Sequence, residues 1–121
     1  MTVNEWLDEF AANVRARDYG RARKQFIEGV FAFGSLATVM IGLDSLEMRQ
    51  WRPIWERTRD FTFQHIRIET NAFNSIVMAR WSSWCVDTEA IHAGRATIVL
   101  RRENDRWIAT HTHFSLNPGD A

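Results

Sequence analysis

Apolar and polar positions follow a helical period in the first half of this chain and a period of two in the second. From Thr2 to Arg17, Trp6, Phe10 and Val14 recur every four residues with Leu7 beside them, which predicts one apolar stripe on an amphipathic helix. Thr2-x-x-Glu5 supplies a capping box for its start. Asp18 reads as a second N-cap. Tyr19, Ala22 and Phe26 form the next stripe, with Arg21, Arg23 and Lys24 facing out and Gly29 as the stop. Val30 to Phe33 predicts a short strand closed by Gly34-Ser35, and Leu36 to Ile41 a loop or short strand ending at Gly42. A third helix begins at the capping-like Asp44-x-x-Glu47. It carries Leu46, Gln50, Trp51, Ile54, Trp55 and Thr58 at helical spacing, and Pro53 inside it should kink or split it.

From Phe61 onward the pattern is that of strands. Phe61 and Phe63 point one way and Ile66 and Ile68 the other, so a β-bulge near Gln64-His65 is expected in a strand ending at Thr70. Asn71-Ala72 is a turn. Phe73 to Val86 is a long strand with large apolar groups on both faces, Val77, Ala79, Trp81 and Cys85 on one and Ile76, Met78, Trp84 and Val86 on the other. Asp87 to Ala90 is a turn. Gly94 to Pro118 is a hairpin whose turn is Glu103-Asn104-Asp105. Strict alternation in its second arm puts Trp107, Ala109, His111, His113 and Ser115 on one face and Ile108, Thr110, Thr112, Phe114 and Leu116 on the other. Helices first and strands afterwards indicate an α+β fold in one domain over residues 1–121. A sheet apolar on both sides with helices for only one side needs a second cover, so a homodimer through the sheet face is expected.

Composition narrows the function classes. At 121 residues roughly two-thirds of the unfolded chain's surface can be buried, enough for a core without staples. Fifteen basic and fifteen acidic side chains cancel, which removes any global attraction to nucleic acid or an anionic membrane. Cys85 is the single cysteine, so no internal disulfide can form and a reducing, cytoplasmic setting is expected. No apolar run approaches the roughly 20 residues of a membrane span, and the acidic, amphipathic N-terminus is not a signal peptide. Six tryptophans and eight phenylalanines imply a bulky core, an aromatic-lined cavity, or both. P-loop, glycine-rich dinucleotide and nucleophile-elbow motifs are missing, and no cofactor is expected.

The helix G-L-D-S-L-E-M-R-Q-W-R-P-I-W, the strand A-R-W-S-S and the ending R-W-I-A-T-H-T-H-F-S-L-N-P resemble SnoaL-like proteins of the nuclear transport factor 2-like superfamily. The last stretch is also similar to the end of the association domain of calcium/calmodulin-dependent kinase II. The resemblance covers nearly the whole chain. It implies a cone, in which a curved and bulged sheet wraps around helices and a mouth leads to a pocket, and it implies dimers through the sheet. Ketosteroid isomerases, polyketide cyclases, dehydratases, transport factors and assembly hubs share this shape, so it implies no single activity.

Ketosteroid isomerase chemistry uses carboxylic acids held in an apolar cavity. This chain places its acids at strand ends and turns, and Asp60 alone is placed where a cone's mouth could admit it. The polar groups in mid-strand are instead basic: His65, Arg67, Arg80, Arg95, His111 and His113. Arg80 sits between Ala79 and Trp81, and a guanidinium there needs a partner. That partner is a ligand carboxylate gripped at two points, an internal ion pair, or solvent at a dimer rim. The resemblance to the kinase association domain implies the first. Arg95 and His65 are further ligand-binding candidates. His111 and His113 lie about 7 Å apart along one strand face. They could reach one ligand as an acid–base pair at neutral pH, or hydrogen-bond at a dimer interface with Ser115. A zinc site would need further ligands such as His65 and His92, which no spacing supports. Trp51 and Trp55 would wall the pocket or simply fill the core. Cys85 reads as packing. The leading expectation is a cone that binds a small, partly apolar, acidic or carbonyl-bearing molecule. The alternatives are a cofactor-independent lyase or isomerase with a histidine base, and an assembly domain.

Overall fold

The computed structural model of the chain describes residues 1–119. Helix α1 spans Val3–Ala16, with the Thr2 hydroxyl accepting from the Glu5 N–H at 3.0 Å. Arg17 closes it in the left-handed region. Its buried stripe is Val3, Trp6, Leu7, Phe10 and Val14. Asp18 caps α2, Tyr19–Arg23, by accepting from the Arg21 N–H. The predicted run of this helix to Gly29 does not occur, because β1 (Phe26–Phe33) already starts two residues after Lys24. Gln25 is the reason. Its carbonyl accepts from the Trp6 indole at 3.3 Å and the Ala109 N–H at 2.8 Å. Its buried amide bonds Asn13 and the Trp6 carbonyl. Satisfying those groups pulls the backbone out of the helix and lays Phe26 beside the last strand.

β2 (Met40–Ile41) leads into a helix broken in three: α3 (Leu43–Leu46), a π segment (Glu47–Trp51) and α4 (Arg52–Trp55). Pro53 in the first turn of α4 has no N–H to give, and its ring crowds the carbonyl four residues back. The wider π turn just before it relieves both. Asp44 does not cap this helix. Its carboxylate holds Arg23 at 2.8 Å, and the buried Glu47 carboxylate sits between Arg23 at 3.1 Å and Arg52 at 2.6 Å.

Strands β3 (Thr58–Thr70), β4 (Asn74–Cys85), β5 (Ala90–Glu103) and β6 (Arg106–Leu116) complete a six-stranded mixed sheet in the order β2-β1-β6-β5-β4-β3. Among the described residues only the β1–β6 pairing is parallel. Three bulges in the sheet's antiparallel pairings curve it around the helices, and the parallel β1–β6 pairing shifts register between Phe26 and Phe31. The expected one lies at His65 (φ 50°), and a second at Asp60 (φ 58°) breaks the register between Arg59 and Thr62. Arg15 on α1 donates to the Phe61 carbonyl beside that second bulge, at 2.9 Å. The third bulge is at Thr110, since Ala109 pairs with Leu100 but His111 pairs with Val99. It breaks the strict alternation expected for β6. Trp107 and Ala109 face the core before it, Thr112 and Phe114 after it, and both histidines turn outward. No helix among the described residues is long and apolar enough to cross a membrane.

Candidate functional site

A cavity of about 410 Å³ opens between the inner sheet face and the helices. Phe10, Trp51, Trp55, Phe61, Trp81 and Phe114 form its aromatic walls. The π segment and α4 set Trp51 and Trp55 one turn apart with rings stacked at 4.8 Å, and the Phe10 edge meets Trp55 at 5.8 Å. Trp81 lies over Gly94, its cross-strand partner, and its indole donates to the Arg95 carbonyl at 3.3 Å. Only a residue without a side chain permits this approach. A Cβ on Gly94 would fall 1.9 Å from the Ser115 carbonyl oxygen and 2.7 Å from the indole.

Polar lining gathers at one end, where the start of β3 meets the β4–β5 turn. Arg57, Thr58, Ser83, Cys85, Asp87, Thr88 and His92 stand there. Arg57 holds Asp87 at 3.1 Å and donates through Nε to the Pro53 carbonyl at 2.9 Å, while its own carbonyl accepts from the Val86 N–H. The Thr88 hydroxyl lies 3.1 Å from His92 Nε2. The Thr88 backbone N–H, and after it the Thr88 hydroxyl, hold the Cys85 thiol below its ordinary range. Gln50, also in the lining, is already engaged by Ser35 and the Leu36 N–H.

Of the residues singled out from sequence, Trp51 and Trp55 line the cavity. The others stand elsewhere. Ala79, Trp81 and Ser83 face inward on β4, so Arg80 between them is exposed on the outer face, directly across from the exposed Arg95 on β5. His111 and His113 are carried to that same outer face by the Thr110 bulge. There His111 Nδ1 donates to the Phe31 carbonyl, and the Phe33 ring meets both imidazoles edge-on. His65 and Asp60 are exposed at their bulges and do not line the cavity. The imidazole in the cavity is His92, and its guanidinium is that of Arg57. Counting the pleat from Trp81 through Ser83 to its partner across the turn would have found His92. Arg57 lies in the joint between α4 and β3 and had no periodic signal. Among the described residues no group of three or more His, Cys, Asp or Glu side chains could hold a metal ion.

Tyr19 backs the wall from behind. Its ring stacks on Trp55 at 5.2 Å, the Arg52 guanidinium lies 4.3 Å over it, and its hydroxyl donates to Glu56 at 2.8 Å. Burial first, and then the Glu56 carboxylate, push its pKa up to about 12. The folded chain therefore holds the phenol proton more tightly than the unfolded chain, whose tyrosine titrates near 10. This contribution is complete below about pH 10 and is lost as pH rises through about 12. Tyr19 is the chain's single tyrosine. Its phenolate absorbance is expected to rise with a midpoint near 12, and Glu56→Gln should move that midpoint down. A wild-type midpoint near 10 would show that neither the burial of the ring nor the Glu56 contact persists in solution.

A model of the SnoaL-like domain matches residues 3–118. No curated protein matches the chain in sequence. Among solved structures, an NTF2-like protein of unknown function from Pseudomonas putida KT2440 superposes with a TM-score of 0.81 at 18% identity, over 93% of this chain and 82% of the other. A ketosteroid isomerase-like protein from Erwinia carotovora atroseptica gives 0.75 at 12% identity, over 97% and 95%. A hexachlorocyclohexane dehydrochlorinase from Novosphingobium barchaimii gives 0.75 at 15%, over 96% and 84%. At these identities the likeness is one of fold.

Proposed function

We propose, from the premise that this chain belongs to the SnoaL-like family, that its cavity binds a small, partly aromatic, carbonyl-bearing molecule. The observation that carries this is a cavity of about 410 Å³ with aromatic walls and a cluster of polar groups, Arg57, Thr88 and His92 among them, a size that suits a small organic ligand. An aromatic portion would lie between Trp51, Trp81 and Phe114. Its carbonyl would meet the polar end, where Arg57 has N–H donors beyond the two given to Asp87 and Pro53.

A thermal-shift series with an aromatic ketone (benzylacetone) and an aromatic acid (cinnamate) tests this. At 100 times its dissociation constant a ligand adds about 2.7 kcal/mol of stability. Arg57→Gln should weaken binding about tenfold, the worth of one hydrogen bond to a charged group, and Arg80→Ala should leave it unchanged. No shift with either compound, or a shift abolished by Arg80→Ala, would sink the proposal. Turnover of a bound ligand that disappears in His92→Ala would move the reading to a lyase or isomerase, a class to which this fold also lends itself.

The outer sheet face supports a second part of the reading, a homodimer. Phe31, Ile76 and Trp84 leave 41%, 40% and 38% of their surface exposed there, and a self-complementary partner would cover them. Sedimentation equilibrium is expected to give twice the chain mass for the wild type and the chain mass for Ile76→Glu/Trp84→Glu. A monomeric wild type would count against it.

A further inference from the structure

A thiol and an imidazole share the polar end of the cavity. β4 and β5 are registered so that Ser83 lies opposite His92 and Cys85 opposite Ala90. Cys85 and His92 are therefore diagonal neighbours on the inner face, roughly 7 Å apart and within reach of long side chains. The turn Val86–Glu89 returns Thr88 over them, and its hydroxyl meets His92 Nε2 at 3.1 Å. All three residues line the cavity. Cys85 is the chain's single cysteine and is partly exposed. Hydrogen bonds from Thr88 favour its thiolate, the form that acts as a nucleophile. Asp87 opposes this with its charge, and Arg57 pairs with Asp87 at 3.1 Å.

Resting on the reading of the cavity as a ligand site, we infer that Cys85, Thr88 and His92 form a thiol-addition site that captures an α,β-unsaturated carbonyl compound at the polar end of the cavity. Sulfur is a soft nucleophile, and its partner here is an electrophilic carbon held by aromatic walls. The step is an addition. Cys85 Sγ bonds the β-carbon while its proton passes to His92. The π pair of the double bond moves toward the carbonyl as an enolate, and the imidazolium returns the proton to the α-carbon. The net change is S–H added across C=C, with nothing oxidised and no group leaving. Arg57 stands at the same end, where its N–H groups would stabilise the enolate oxygen. Thr88 is a positioning residue that holds the ring and the thiol together.

Benzylideneacetone, an aromatic enone, is the probe, and intact-mass kinetics the readout. The wild type is expected to take one adduct, on Cys85, at a rate that saturates with enone and exceeds glutathione's at the same pH by at least about tenfold. Benzylacetone, its saturated analogue, should compete. His92→Ala and Thr88→Val should each slow addition at least about tenfold while keeping a cooperative urea unfolding transition, which separates loss of the site from loss of the fold. Addition at glutathione's rate, or rates unchanged in both variants, would overturn the inference. If benzylacetone binds and addition is not accelerated, this inference falls and the binding reading stands. If benzylacetone does not bind at all, both fall.

Discussion

Gly94→Ala is expected to cost more than about 4 kcal/mol, beyond the range of ordinary substitutions, and to leave little folded protein at physiological temperature. The added methyl would lie 1.9 Å from the Ser115 carbonyl oxygen. That oxygen belongs to backbone near the end of the β5–β6 ladder, where Arg95 pairs with Ser115 and Gly94 with Leu116, and the Asn117 N–H bond to the Ala93 carbonyl holds the two strands together beyond it. It cannot retreat without parting the strands. On the other side the methyl meets the Trp81 indole at 2.7 Å. Pushing that ring away would break its hydrogen bond to the Arg95 carbonyl and drive it into the cavity. Gly94 does not take a left-handed φ, so the penalty is one of contact. Urea unfolding followed by circular dichroism measures it. An alanine variant within 1 kcal/mol of wild type (the scale of an ordinary surface change) would mean that the close approach of β5 to β6 does not exist in solution.

Trp51→Ala should be nearly as severe, at about 3–5 kcal/mol, and should reach function as well. Trp51 is 4% exposed and touches Trp55 at 4.8 Å, Phe26 at 5.1 Å and Phe10 at 6.2 Å. Truncation removes the middle of that aromatic chain, and the space joins the ligand cavity. The loss therefore appears twice, as a lower unfolding midpoint and as weaker binding of benzylacetone. Trp51→Phe keeps an aromatic face, so it should retain most of the stability and part of the affinity. If Trp51→Ala bound the ketone as tightly as wild type, the aromatic wall would have no part in recognition.

Residues whose partners are close along the chain could be read from sequence. Thr2 caps α1 through Glu5 three residues on, and Asp18 caps α2 through Arg21. Asn71 closes the β3–β4 turn by accepting from the Phe73 and Asn74 N–H groups. The two apolar faces of β4, the aromatic pair on the broken helix and the bulge at His65 follow from pleat and pitch alone. The length of α2 did not follow, because Gln25 answers to Trp6, Asn13 and Ala109 rather than to its own neighbours. Nor did the destination of the histidines. Local alternation puts His111 with Trp107, but one extra residue at Thr110 reverses every side chain after it.

The site shows the same division. Composition and local pattern were enough for an α+β domain, an aromatic-rich interior and a sheet apolar on both sides, because these depend on spacing within one element. The identity of the polar end depended on which strand ends meet. Arg80 looked buried because its neighbours are apolar, yet Ala79 and Trp81 face in and leave it outside. Arg57, Thr88 and His92 come from a helix–strand joint, a turn and a strand start, and they converge only when β3 curls back along β4 through two bulges. Spacing along a chain encodes the faces of its elements. The registry between elements is set by bulges and by long-range hydrogen bonds, and in this protein that registry chose which imidazole and which guanidinium stand in the cavity.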